Sequence, residues 1–432
     1  MDVLTSAAAG HAGPAAGAAR RAALAFYAPG AGTVWFAGRR LTAAGAALAN
    51  SAAASALDLD DGHRAACGHP GASVIPAALA VAEEVGAGPD ELLAAVAVGY
   101  EVGVRVAAAR NFSALGAYSS GTWCGYGVVA AAGWLRGTPP DRLAHALAIS
   151  GVSAPNQAAA GSSGYSKLTG NTVKEGIPWA TVTALTALAL AEAGFTGPED
   201  ILDHPEHFDG GRILDGLGRG LAIEQTYFKP YSACRWVHAA VDGVGALMEE
   251  HGLAPADLDQ IEIHTFTRAL RLSNRRDPAT HEDAQYSLPY CVALRAVAGR
   301  AALLPLTESA LGQPDAVALA ERVTLHLDPE LDGRFPAQTP ARVVLHTPKG
   351  RFERLVESPR GDPGNPMSRE ELQAKFRIAT RRTMGREEQE ELLSTVDSLA
   401  AGDLAPLLRA LARPLAAMST EATLSRERQE AT

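Results

Sequence analysis

The run DLDDGHRAACGHPGAS, residues 58 to 73, sets three carboxylates (Asp58, Asp60, Asp61) and two imidazoles (His63, His69) between stretches made largely of Ala, Leu and Val. An ionised carboxylate beside a core is costly unless it is paired or put to use. Histidine titrates near neutrality, and a neighbouring carboxylate can hold its ring in one orientation, so the run reads as a general acid/base cluster. The glycines and Pro70 around His69 predict a turn that presents the ring to a cleft. Two plainer readings stand beside this one: the aspartates as helix caps, and the cluster as metal ligands. The spacing matches neither H-E-x-x-H nor an EF-hand loop, and no metal is expected.

Two more polar islands lie further along the chain. GSSGYSKLTGNTVKEG (161–176) carries Lys167 and Lys174 just before an apolar helical run. Either lysine could bind an anionic substrate with help from helix N–H groups, or both are ordinary solvated lysines. YFKPYSACRWVHAAVD (227–242) gathers Lys229, Cys234, Arg235 and His238. Arginine grips a carboxylate with two parallel hydrogen bonds, so Arg235 reads either as a substrate anchor or as an ion-pair tie between two parts of the fold.

The elements that must position these groups change character along the chain. Ala-rich runs such as LTAAGAALANSAAASALD and PDELLAAVAVGYEVGVRVAAAR dominate residues 41–200 and predict helices packed closely through small side chains. After IEQTYFKPYSACRW, the segments 258–267, 322–330, 341–350 and 351–358 alternate apolar and polar residues with the period of a strand. The last two predict a hairpin through Pro348, Lys349 and Gly350. Helical segments at 235–251 and 284–300 fall between them, and Ser368 with Glu371 forms a capping box that reopens a helix. The expected fold is mainly α: a large helical domain split between residues 1–225 and 366–432, with a smaller α+β domain, 226–365, inserted.

Bulk properties narrow the function. A chain of 432 residues with formal net charge −10 and no basic run offers no footprint for nucleic acid or an anionic membrane. Cys67, Cys124, Cys234 and Cys291 lie far apart, without C-x-x-C spacing, which fits a reducing cytoplasm and gives no iron–sulfur signature. The start of the chain lacks a basic, then apolar, export signal. The uncharged stretch 111–135 has the Ser, Thr and Gly content of a buried helix, so no membrane span is expected there.

Taken in order, NSAAASALDLDDGHRAACGHPGASVIPAALAVAE, GYEVGVR, SGTWCGYGVVAAAGWLRG, KLTGNTVKEG and FKPYSACRWVHAAVD resemble the MmgE/PrpD family, which includes 2-methylcitrate dehydratase, cis-aconitate decarboxylase and iminodisuccinate epimerase. The resemblance spans nearly the whole chain, with the part before TVWFAGRRL short. It implies that the α+β domain is a lid, that the active site lies between the domains, and that the chain forms a homodimer. It implies a cofactor-independent lyase that removes a proton next to a carboxylate of a small di- or tricarboxylate. Asp58 and His69 match the family's acidic and histidine positions, Lys229 the lysine of the lid, and Lys167 an active-site lysine once a short gap is allowed. Gly62 stands where the decarboxylase carries threonine, Cys234 where it carries a catalytic histidine, and Tyr118 where many members carry histidine. These departures bring His63, Tyr118 and Cys234 forward as further acid/base groups and keep dehydration, epimerisation and decarboxylation apart as alternatives.

Overall fold

The computed structural model describes every residue except 113–114, 116–117, 156–170 and 416–432. Eight helices build the first part: α1 (Asp2–Gly10), α2 (Pro14–Phe26), α3 (Ala43–Ser55), α4 (Gly71–Val85), α5 (Pro89–Ala109), α6 (Cys124–Arg136), α7 (Pro140–Val152) and α8 (Ile177–Glu192). Proline in the first turn opens α2, α5, α7 and α8, where its missing N–H costs nothing. Left-handed Gly86 and Gly137 close α4 and α6.

Small residues let these helices touch backbone to backbone. α5 lies on α6 and α3 on α4 and α8, and a Cβ on Gly127 would stand 2.5 Å from the carbonyl oxygen of Gly99. The uncharged stretch supplies α6, buried from Cys124 to Gly133. Among the described residues α5 is long and apolar enough to cross a membrane by length and composition; here it packs against α4 and α6.

Strands are few. β1 (Gly32–Val34) pairs with β2 (Arg39–Leu41), and β3 (Gly62–His63) pairs antiparallel with β4 (Thr226–Tyr227). A four-stranded sheet holds β5 (Gln260–Thr265), β6 (Val323–Leu327), β7 (Ala341–Thr347) and β8 (Gly350–Val356) in the order β6-β5-β7-β8. β5 and β6 run parallel; the other pairs are antiparallel, including the β7–β8 hairpin. Ile261 and Ile263 alternate inward with partly exposed Glu262 and His264, and the helices His238–His251 and Leu288–Ala298 pack against the sheet.

After the sheet, the Ser368–Glu371 capping box starts the helix Arg369–Thr380. Its Lys375 donates to Asp2 Oδ1 at 2.5 Å and to the Leu59 carbonyl at 2.8 Å. Phe376, Leu392 and Leu407 share a core with Val3, Leu4 and Trp35. The fold is therefore mainly α, and the end of the chain packs on its beginning. The short β3–β4 pair fastens the loop after α3 to the segment that carries Lys229, and so brings two of the polar islands to one place.

Candidate active site

Six non-glycine residues in the described chain have positive φ, and four of them, Asp58, Cys67, Lys174 and Glu175, lie around one cleft. Each such conformation costs about 1 kcal/mol or more and persists only where surrounding contacts over-determine it. Those contacts are ionic and buried. Lys229 donates to Asp58 Oδ1 at 2.7 Å and to its carbonyl oxygen at 3.0 Å. Lys174 donates to the same Oδ1 at 2.8 Å and to the Tyr286 hydroxyl at 2.8 Å. Burial alone would push the Asp58 carboxyl up, but the Lys174 and Lys229 ammoniums, with His69, hold it well below the usual carboxylate range. Lys174 moves the other way: burial lowers it and the Asp58 charge raises it further, so it stays protonated.

His69 lies between two carboxylates. Its Nδ1 is 2.9 Å from Asp60 Oδ2 and its Nε2 is 3.4 Å from Asp58 Oδ1. With Nδ1–H donated to Asp60, the other nitrogen is left to exchange a proton. Burial would raise Asp60, and the His69 ring lowers it overall. The His69 backbone N–H donates to Ser120 Oγ at 3.0 Å, and Ser120 donates to Glu175 Oε2 through its hydroxyl at 2.8 Å and its N–H at 2.9 Å. Tyr286 donates to Glu175 Oε1 at 3.2 Å, which closes a ring of polar contacts through Lys174 and Asp58 back to His69.

Asp58, Asp60 and His69 offer ligand atoms within 4.8 Å of one another. Asp58 Oδ1 already carries two ammoniums and His69 Nδ1 is taken by Asp60, so a cation here would sit against two fixed positive charges. The donor set is suited to moving protons next to a substrate anion.

The remaining sequence candidates fall in different places. His63 borders the cleft, its Nε2 is 3.1 Å from the Ala222 carbonyl, and burial lowers its pKa to about 4. Cys234 lines the cleft as well, and burial pushes its thiol up to about 12. Tyr118 is buried at the cleft wall with the Arg268 guanidinium 4.4 Å from its ring centroid. Both terminal nitrogens of Arg235 are engaged within the protein: they donate to the Pro359 and Arg360 carbonyls and to Asp362 Oδ1, the last at 2.7 Å. Asp362 also takes Arg64, at 2.6 Å, so one carboxylate joins the loop after α3 to the sheet-bearing segment. Lys167 lies outside the described residues.

Sequence reasoning named neither Glu175 nor Tyr286 as site residues. Glu175 carries one faint signal, its place in the Lys-Glu-Gly run where all three residues adopt positive φ. Tyr286 sits in DAQYSLPY, which reads as an ordinary core aromatic. Asp60 was visible in the carboxylate cluster, but only the fold tells it from Asp61. That carboxylate instead accepts from the Tyr100 hydroxyl at 2.8 Å.

Comparison with known proteins adds the family. The MmgE/PrpD N-terminal domain matches residues 1–211 and the MmgE/PrpD C-terminal domain matches residues 231–401. A cis-aconitate decarboxylase of Aspergillus terreus (strain NIH 2624 / FGSC A1156) is 28% identical over 436 aligned residues, covering 91% of this chain and 86% of that protein. A second cis-aconitate decarboxylase from Aspergillus terreus gives the same identity and coverage.

Proposed function

We propose, from the premise that this chain belongs to the MmgE/PrpD family, that it is a cofactor-independent hydro-lyase for a small polycarboxylic acid of the 2-methylcitrate kind. The observation that carries this reading is Asp58 Oδ1 held between two ammoniums with the His69 ring 3.4 Å away. The Lys174 and Lys229 ammoniums held at Asp58 are fixed, buried cations of the site. Charge building up on a substrate carboxylate during proton removal is stabilised most by such a fixed, buried cation.

In this mechanism His69 Nε2 takes the proton from the carbon next to the carboxylate while Asp60 holds the ring. The C–O bond at the neighbouring carbon then breaks, and the Tyr286 hydroxyl, lying between Lys174 and Glu175, protonates the departing hydroxide to give water. The empty space at the centre of the cleft is about 30 Å³, far less than a small-molecule site requires. Substrate entry therefore needs residues 226–365 to move as a lid, parting Arg64 from Asp362, and the functional unit is the homodimer that the family resemblance implies.

The second reading is epimerisation of a dicarboxylate, favoured by Cys234 on the cleft where the decarboxylase has histidine. Incubation with 2-methylcitrate and related hydroxy acids in deuterated water separates the two. Loss of water supports the hydro-lyase; deuterium entering the α-carbon without loss of water supports the epimerase; loss of carbon dioxide overturns both.

A further inference from the structure

We infer that the substrate carries an apolar substituent of several carbons beside its carboxylates, because one wall of the cleft is aromatic. This rests on the reading of the site as one that binds a small polycarboxylate. Tyr118, Trp236, Phe335 and Pro336 line the cleft. Their rings pack edge to face: Tyr118 and Trp236 have centroids 6.1 Å apart, Tyr118 and Phe335 5.9 Å, Trp236 and Phe335 5.7 Å. The Tyr118 hydroxyl contacts the Phe112 carbonyl, and Phe335 and Pro336 are half-buried. Ring faces and edges offer a carboxylate no hydrogen bond, whereas an alkyl or aryl group laid against them would gain by burial.

The lack of a side chain at Gly62 adds a further aromatic ring to the cleft. A Cβ there would lie 2.3 Å from both Cζ and the hydroxyl oxygen of Tyr227, so the ring occupies the space any side chain would need. Tyr227 also borders the cleft, and the Arg64 and Arg235 guanidinium carbons sit 5.1 and 4.9 Å from its centroid. Trp236, Phe335 and Pro336 all belong to the sheet-bearing segment, so closure of that segment would wrap the substituent.

The test is equilibrium binding of three unreactive dicarboxylates, succinate, isobutylsuccinate and benzylsuccinate, to the full chain by calorimetry. At least one substituted acid should bind roughly 10–100-fold more tightly than succinate, and Phe335→Ala should remove most of that advantage, read as the ratio of substituted-acid to succinate affinity in the same variant. Equal or weaker binding of both substituted acids overturns the inference, as does a preference that survives Phe335→Ala. If that variant does not fold, the wild-type series alone decides. Binding needs no turnover: a substituent preference without water loss or deuterium exchange would sink the catalytic reading and leave this inference standing, and turnover without the preference would do the reverse.

Discussion

Lys229 donates to two oxygens of one residue, Asp58 Oδ1 and Asp58 O, and neither side chain is exposed to solvent. The contact therefore neutralises a buried charge and clamps a left-handed turn at once. Removing one partner of a buried pair costs about 3–5 kcal/mol, while removing both is often far milder. Lys229→Met leaves Asp58 paired with Lys174 and should lower stability by about 1.5–3 kcal/mol through its lost hydrogen bonds, whereas Asp58→Asn, which leaves two buried ammoniums without their carboxylate, should cost more. Denaturant melts of the two variants check this; a Lys229→Met protein as stable as the wild type would refute the clamp.

Asp61 behaves oppositely to its neighbour three residues earlier. Burial, with the Asp2 and Asp60 charges, raises its pKa to about 7, against the lowering effect of the Tyr100 hydrogen bond. A folded-state value above the unfolded one means the protonated group contributes stability that is fully present below about pH 4 and lost as pH rises through about 7. Asp61→Asn removes this titration and keeps a side chain that can bond Tyr100. The variant should exceed the wild type by on the order of a few kcal/mol above about pH 8, and the gap should shrink toward acid pH. Thermal melts across pH give the answer, and identical pH profiles for the two proteins would contradict it.

How far the sequence reveals such relations depends on chain separation. Asp58, Asp60 and His69 lie within one loop, so their types and spacing suggest contact before any fold is known. The helix starts and stops, the β7–β8 hairpin and the Ser368 cap are equally local. Glu175 reaches Ser120 only because Lys174, Glu175 and Gly176 turn left-handed in succession, a conformation that burial patterns do not announce. Tyr286 meets Lys174 across 112 residues of chain, and Arg64 meets Asp362 across 298. Arg235 shows the same limit: its residue type suits a substrate carboxylate, yet the fold gives it Asp362 and two carbonyls instead.

Gly62 faces Tyr227 across the β3–β4 pair, and its lack of a side chain is what admits the ring. Gly62→Ala should destabilise the protein by about 1–3 kcal/mol through overpacking. In a Tyr227→Ala background the same change should cost little. The coupling between the two, read from a double-mutant cycle of unfolding free energies, should exceed about 1 kcal/mol; additive effects would place the Tyr227 ring elsewhere.

The division of labour at the site can be tested one proton at a time. His69→Ala should lower kcat by roughly 10²–10⁴, the usual worth of a general base, and should slow water loss and deuterium exchange together. Asp60 acts through His69, so Asp60→Asn should change the pH–rate profile and lower kcat with little effect on KM, a pattern that a loss of packing alone would not produce. Tyr286→Phe makes the sharpest cut. If its hydroxyl protonates the departing group, the variant still exchanges the α-proton but loses water about 10²-fold more slowly or worse. If exchange and water loss fall together, Tyr286 serves to position Lys174, and the acid must be sought in Glu175, the other group bonded to that hydroxyl.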